Sequence, residues 1–352
     1  MKLHRTYGHE AVRNRLGRSL RAGRFPQALL LTGPRGIGKQ RIALWLGGAL
    51  LCEHQDRAPC QECHACRQLA GLAHPDLHWF VPLVPSKKST DPDKQVQEIE
   101  EALAEVMAER RENPLYGPLD PKASHALASV RLVHRRVSLR PFQGRRKVLI
   151  LGDLDRLVVQ EASQEAANAL LKVLEEPPPD TVIVGTTGSP QALLPTIRSR
   201  LVPVRMGVVD DAEVALFLKD VVGLTGRAVD DAVELIQGCP GRAVEGEGGD
   251  RAAIKRADDL LWAVKRGSVE WAQRALAQNP WDARGGYTEL LDTVAVRLRK
   301  SLERAAQVGD GQDVDRLLKA MGVVEQHRTI AQGNVNPQLS MAVMAGTLER
   351  LR

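Results

Sequence analysis

Aromatic residues are scarce in this 352-residue chain: Phe, Trp and Tyr make up 3% of it. That argues against a surface built of base-stacking rings. No apolar run approaches the length needed to cross a bilayer, so no membrane role is expected. No apolar signal segment opens the sequence, which points to the cytoplasm, where thiols stay reduced. Cysteine is also rare, with five residues, and no internal repeat is visible. Lys+Arg 49 against Asp+Glu 43 gives a formal charge of +6, too mild to indicate nucleic acid by itself. The length implies two or three domains.

What is present begins with Gly33-Pro34-Arg35-Gly36-Ile37-Gly38-Lys39-Gln40. The buried-strand pattern of residues 27–32 precedes it and a helical pattern from Arg41 follows. A G-x-x-x-x-G-K loop in that setting turns backbone N–H groups toward phosphates, and Lys39 would reach the outer ones. A plain glycine turn is the alternative, and the strand, loop and helix in sequence weigh against it. Ser or Thr should follow the lysine to bind Mg²⁺; Gln40 stands there instead. The expectation is ATP or ADP binding without efficient hydrolysis.

Four of the five cysteines, Cys52, Cys60, Cys63 and Cys66, fall within fifteen residues. Four thiolates so spaced close a tetrahedral Zn²⁺ site with no open position, hence a structural one. Disulfides fit a reducing compartment poorly, and an iron–sulfur cluster has no other redox feature to support it. His54 and His64 are alternative ligands or solvated loop residues. Cys239 reads as a small packing residue.

Helix, strand, phosphate loop and helix fill residues 1–50. A strand follows the cysteines near 76–81. Residues 82–127 form an insertion in which prolines bracket a helix over Lys94–Arg111, with apolar Val96, Ile99, Leu103, Val106 and Met107 at helical spacing. A helix at Ser129–Leu139, a strand at Lys147–Gly152, a helix at Gln160–Glu175 and a strand from Thr181 complete an alternating pattern, which implies a parallel sheet covered on both faces. Arg131, Arg135, Arg136, Arg140, Arg145, Arg146 and Lys147 carry no acid among them. They read equally as a solvated helix face with a basic turn or as a phosphate contact. Helices at Asp210–Val222 and Val229–Gln237 form a small unit. From Arg251 on, the pattern is helical, broken by Pro280, Gly285-Gly286 and the polar turn at Gly309–Asp313. Its stripes, such as Leu290, Leu291, Val294, Val296 and Leu298, exceed what one bundle face needs, so an assembly surface is expected.

Residues 23–29 and the loop, the four-cysteine insertion, Ala167–Pro178 and Ser199-Arg200-Leu201 together resemble the bacterial clamp-loader family of the AAA+ class. Asn334–Leu351, with Asn336-Pro337, is similar to the terminal helix of its δ′ branch. The resemblance covers nearly all of the chain except about 82–127. It implies a RecA-like AAA+ P-loop α/β domain over 1–205 carrying a zinc module at 52–66, a helical lid over 206–248 and an all-helical collar over 249–352. It further implies a component of the DNA polymerase III holoenzyme in a hetero-pentamer with motor and δ subunits, reaching the sliding clamp and primer-template DNA through that complex.

Departures from the motor pattern point to a non-hydrolysing stator. The acids that would hold Mg²⁺ and orient water align with Gly152 and Asp153, and the lid arginine aligns with Gly241, with Arg242 one residue off. Phosphoryl transfer depends on that metal. Thr186 and Thr187 resemble the polar sensor, or they cap the following turn. Arg200 matches the arginine that this family projects into a neighbour's ATP site, and Arg198 is expected to take the surface ion pair instead. An autonomous ATPase, such as a motor subunit, is the alternative. A zinc-dependent DNA-binding module ranks last, because no recognition-helix pattern accompanies the cysteines.

Overall fold

Apolar residues on both faces of Ala28-Leu29-Leu30-Leu31 suit a strand in the middle of a parallel sheet. In the computed structural model, which describes residues 6–84, 89–115, 120, 123–157, 163–244, 247–278, 286–331 and 335–351, that run is such a strand. The order is α1 (Glu10–Arg21), β1 (Ala28–Thr32), α2 (Lys39–Leu51), α3 (His64–Ala70), β2 (Leu77–Phe80), α4 (Pro92–Glu112), α5 (Leu127–Ser138), β3 (Lys147–Leu151), α6 (Ser163–Glu175), β4 (Thr181–Thr187), α7 (Pro195–Arg198) and β5 (Val202–Arg205). The strands are arranged β2-β3-β4-β1-β5, all parallel. β1, β3 and β4 are buried throughout, so both faces are covered, as the α/β phosphate-loop architecture requires.

The expected insertion helix is α4. Val96, Ile99 and Leu103 are buried in the sheet's core cluster, and Arg110 stacks 4.2 Å over the Trp79 ring of β2. Leu83 and Ser124 pair as an antiparallel bridge at its base. Its proline-rich tethers fall mainly at 85–88, 116–119 and 121–122. Those residues, the helix start expected at Gln160, the breaks expected at Pro280 and Gly285, and Asn334 lie outside the described residues.

One buried carboxylate organises the lower edge of the sheet. Asp76 accepts the backbone N–H groups of Phe142 (2.5 Å), Gln143 (2.8 Å) and Gly144 (2.7 Å), which fastens the turn before β3 to the start of β2. Burial alone would raise its pKa, but the N–H groups of Gly144, Phe142 and Gln143 outweigh it and hold the carboxyl below its ordinary 3.8. A depressed pKa contributes stability that is present above the unfolded value and lost as the pH falls through the folded one. Asp76→Asn is therefore expected to lower unfolding stability near neutral pH by about 1.5–3 kcal/mol, the worth of hydrogen bonds to a charged group. In urea titrations the difference from wild type should close below pH 3.8. A difference that persists in acid would show that the charge is not what matters.

After β5 come α8 (Asp211–Phe217), extended by one wider turn over Leu218–Val222, and α9 (Arg227–Ile236). They surround Val214, Phe217, Leu218, Val229, Ile236 and the buried Cys239. The chain folds as two compact units, Met1–Glu245 and Gly246–Arg352.

The second unit holds α10 (Glu247–Arg266), α11 (Ser268–Ala277), α12 (Gly286–Val308), α13 (Gly311–Ala331) and α14 (Pro337–Arg350). Asn336 caps α14 by accepting from the N–H groups of Gln338 and Leu339, with Pro337 at the first helical position. The stripe expected to be surplus is this unit's own core. Leu290, Leu291, Val294 and Leu298 are buried and Val296 is half-buried. α12 packs against both α10 and α13, so it needs apolar residues on more than one face. No described helix is long and apolar enough to cross a membrane.

Candidate nucleotide and metal sites

Local backbone shape builds the phosphate loop. Gly36 and Gly38 lie at φ 76° and 97°, where only glycine rests without strain. Gly33 passes so close to the chain after β5 that a Cβ there would lie 2.6 Å from the Met206 carbonyl oxygen. Gly38 caps α2, so Lys39 sits at a helix N-terminus, where exposed amides and the helix dipole favour anions. The Lys39 ammonium is buried and donates to the carbonyls of Gly33 (2.9 Å) and Pro34 (2.8 Å). Ile37 is buried beneath the loop, its carbonyl 2.8 Å from His9 Nε2, and Arg35 is exposed.

Gln40 meets the Gly152-Asp153 pair, distant in sequence, at the end of β3. Gln40 Nε2 donates to Asp153 Oδ2 at 2.8 Å. A Cβ at Gly152 would lie 3.1–3.2 Å from the Gln40 amide atoms, so the glutamine occupies the room that a side chain there would need. Asp153 has φ 48°, and its N–H donates to Thr186 Oγ1 at 3.0 Å. Thr187 Oγ1 donates to Asp155 at 2.5 Å and accepts from Ser189 N–H at 2.9 Å. The two threonines thus hold the acidic turn and cap the next one. Burial, and then the Asp153 charge, push the Asp155 carboxyl above its ordinary value. His125 was not singled out from the sequence; its only signal is three-dimensional. It is buried with Nε2 2.7 Å from the Gly152 carbonyl, and burial lowers its pKa. A carbonyl only accepts, so this neutral ring carries its proton on Nε2.

The segment after α9 closes over the loop. Gly241 N–H donates to the Gly36 carbonyl at 2.7 Å, and a Cβ at Gly241 would lie 2.9 Å from Gly36 Cα and O. At the position aligned with the lid arginine, backbone meets backbone directly. Arg242 runs alongside, its Cγ 3.2 Å from where a Cβ on Gly36 would be.

Arg200 lies between α7 and the edge strand β5. Its Nη1 donates to the Thr196 carbonyl at 2.6 Å, and its Nη2 pairs with Glu175 at the end of α6. Arg198 is exposed, and its side chain has no hydrogen bond or ion pair among the described residues. The roles expected of the two arginines as to the surface ion pair are exchanged. The reason is geometry: Arg198 ends a one-turn helix and faces solvent, while Arg200 folds back toward α6. Such partly exposed pairs are worth about 0–1 kcal/mol, so the guanidinium is readily released to a stronger partner.

The four cysteines converge. Cys52 lies at the end of α2 and Cys63 caps α3, its Sγ accepting the Cys66 N–H. All four Sγ atoms lie within 4.8 Å of one another, with Cys52–Cys63 at 3.9 Å and Cys60–Cys66 at 4.0 Å. None is in a disulfide. A tetrahedron with Zn–S bonds of about 2.3 Å has S–S edges of about 3.8 Å, so the spacing fits such an ion. N–H groups of His54, Cys60, Cys63 and Cys66 point at cluster sulfurs at 3.4 Å, as thiolates require. Burial raises the Cys52 and Cys66 thiols; at Cys60 burial acts the same way, but the N–H groups of Glu62 and Cys63 and neighbouring thiols bring it down to about 6. His54 and His64 are exposed and outside the group.

Comparison with known proteins gives the family. A family model described as DNA polymerase III, delta subunit, matches residues 8–210. The DNA polymerase III subunit delta′ of Pseudomonas aeruginosa is 36% identical over 176 residues, covering 50% of this chain and 41% of that protein. The chain belongs to the DNA polymerase III delta-prime family. The delta′ subunit of Escherichia coli is 29% identical over 263 residues, 74% of this chain and 66% of that protein. The tau/gamma subunit of Haemophilus influenzae is 26% identical over 317 residues, covering 83% of this chain and 40% of that protein. The chain thus spans about two fifths of the length of several curated relatives it matches. Among solved structures, a gamma subunit-related protein of Thermotoga maritima aligns over 96% of this chain and 100% of its own, at 16% identity and a TM-score of 0.38.

Proposed function

We propose that this chain is a non-hydrolysing AAA+ stator of the bacterial DNA polymerase III clamp loader. Its parts are a P-loop domain over 1–205, a lid over 206–248 and a collar over 249–352. The observation that carries the reading is Gln40 lying over Gly152. Both side chains that would anchor Mg²⁺ are absent, and the room for one is filled. Without that metal, charge on a transferring phosphoryl group is not neutralised. The loop amides and Lys39 still suit the phosphates of ATP or ADP. Arg200 is the arginine donated to a neighbouring motor's ATP site. Cys52, Cys60, Cys63 and Cys66 hold one structural Zn²⁺, which pins the 52–66 segment and takes no part in chemistry. The partners are motor and δ subunits, and through them the sliding clamp and primer-template DNA.

The isolated chain, given Mg²⁺, ATP, clamp and primed DNA, is expected to hydrolyse ATP no faster than its Lys39→Ala variant. Turnover of about 1 s⁻¹ or more, lost in Lys39→Ala, would return the chain to the alternative of an autonomous motor.

A further inference from the structure

The seven cations from Arg131 to Lys147 do not act as one patch. Arg135 pairs with Asp93 and Arg136 with Glu100, both on α4. Lys147 is buried, its ammonium donating to the carbonyls of Arg136 and Leu139. Three of the remaining cations, Arg140, Arg145 and Arg146, lie on the turn between α5 and β3, and their side chains have no hydrogen bond or ion pair among the described residues. Phe142 stands among them, 86% exposed, although aromatic residues are only 3% of the chain. Leu139 beside it is exposed too.

This turn is held rigidly. Asp76 takes three successive N–H groups from Phe142 to Gly144, and Gln143 Nε2 meets His64 Nδ1 at 3.0 Å, bracing the turn on α3 of the cysteine module. Among the described residues, the one carboxylate bonded to the turn backbone is thereby spent inward. The turn opens β3 at the N-terminal end of the parallel strands, whereas the phosphate loop follows the C-terminal end of β1. The length of a strand, roughly 15 Å, separates the two ends. The turn therefore does not belong to the nucleotide site.

An exposed ring presented on a braced turn among uncompensated guanidiniums matches one ligand chemistry well. Guanidinium forks fit phosphates, and a free ring face stacks on an unpaired base. We infer that the 139–146 turn is a contact for single-stranded nucleic acid, with Arg140, Arg145 and Arg146 on the phosphates and Phe142 stacked on a base. This goes beyond the stator reading, in which DNA is reached through the complex, and it does not depend on Arg200.

The test is fluorescence anisotropy of a labelled oligothymidylate of about 16 nucleotides with the full chain, with no other subunit and no ATP, from low to physiological salt. Phe142→Ala should weaken binding about 5- to 100-fold. Each of Arg140→Gln, Arg145→Gln and Arg146→Gln should lower the slope of log affinity against log salt by about 0.7. Lys219→Gln, on the exposed lid surface, should bind as wild type. Because Phe142 is largely exposed and outside the core cluster, the melting temperature of Phe142→Ala should match wild type. Absence of binding at low salt, including the case where an acidic protein binds instead, overturns the inference. So does wild-type affinity in Phe142→Ala, whatever the arginine variants do. None of these outcomes bears on ATP hydrolysis, so the inference and the stator reading can fail separately.

Discussion

Arg200→Ala, assembled with its partner subunits, is expected to slow ATP hydrolysis at one neighbouring site by about 10³–10⁵-fold, the usual worth of an arginine supplied in trans. Its melting temperature should stay within about a degree of wild type, because the pair it gives up with Glu175 is partly exposed and worth little. The position explains the separation of effects. Arg200 hangs between a one-turn helix and the edge strand β5, and its polar partners are the Thr196 carbonyl and the partly exposed Glu175. Positive charge placed where negative charge develops acts on the transition state and hardly on folding. In the assembled complex the loss should appear in DNA-stimulated ATPase and in clamp loading. Arg198→Ala is the natural control, being two residues away and without an ion pair among the described residues. If Arg198→Ala slows the complex while Arg200→Ala does not, the donated arginine is the other one.

Removal of one cysteine ligand should have the other large effect. Purified protein is expected to carry one Zn²⁺ per chain by metal analysis, and Cys63→Ser should carry none. Structural zinc sites in small peptides are worth about 10–16 kcal/mol, far more than a segment of fifteen residues gains from its own packing. The apolar cluster around these thiols consists of little else: Cys52, Cys63, Ala65 and Cys66, with Ala58 and Cys60 beside them. Once the ion is gone, the 52–66 segment should open and become protease-sensitive, its three remaining thiols should react freely, and the sheet should survive on its own core. Protein that contains no metal as purified, with four freely reactive thiols, would remove the zinc reading altogether.

Much of this was legible in the sequence because it is local. The loop glycines, the strand before them and the helix after them are contiguous, so one pattern reports all three. The four cysteines lie close enough for spacing to report a cluster. β5 was less legible. Val202-Pro203-Val204-Arg205 is short and contains a proline, which argues against a central strand but is tolerated at a sheet edge, where β5 lies. What pattern could not give were contacts between distant residues. Asp76 bonds a turn more than sixty residues away, and His125 bonds the Gly152 carbonyl. The Arg198 and Arg200 roles turned on which way two neighbouring side chains fold, and no periodicity encodes that. The α12 stripe misled because surplus apolar residues look alike whether a partner subunit or neighbouring helices cover them.

The fit of Gln40 over Gly152 also says something about descent. Aspartate restored at 152 alone would push its Cβ into the Gln40 amide at 3.1–3.2 Å, closer than ordinary contact. The Gln40 amide ends a flexible side chain, so it would have to shift by a few tenths of an ångström, away from its place against Asp153. Threonine restored at 40 alone would strip Asp153 of its amide partner and leave a gap above the glycine. Neither step by itself supplies both metal anchors, and each disturbs the bond between Gln40 and Asp153. On the stator reading proposed above, the corner works as a ratchet: two coordinated replacements, at 40 and at 152, are needed to supply both metal anchors.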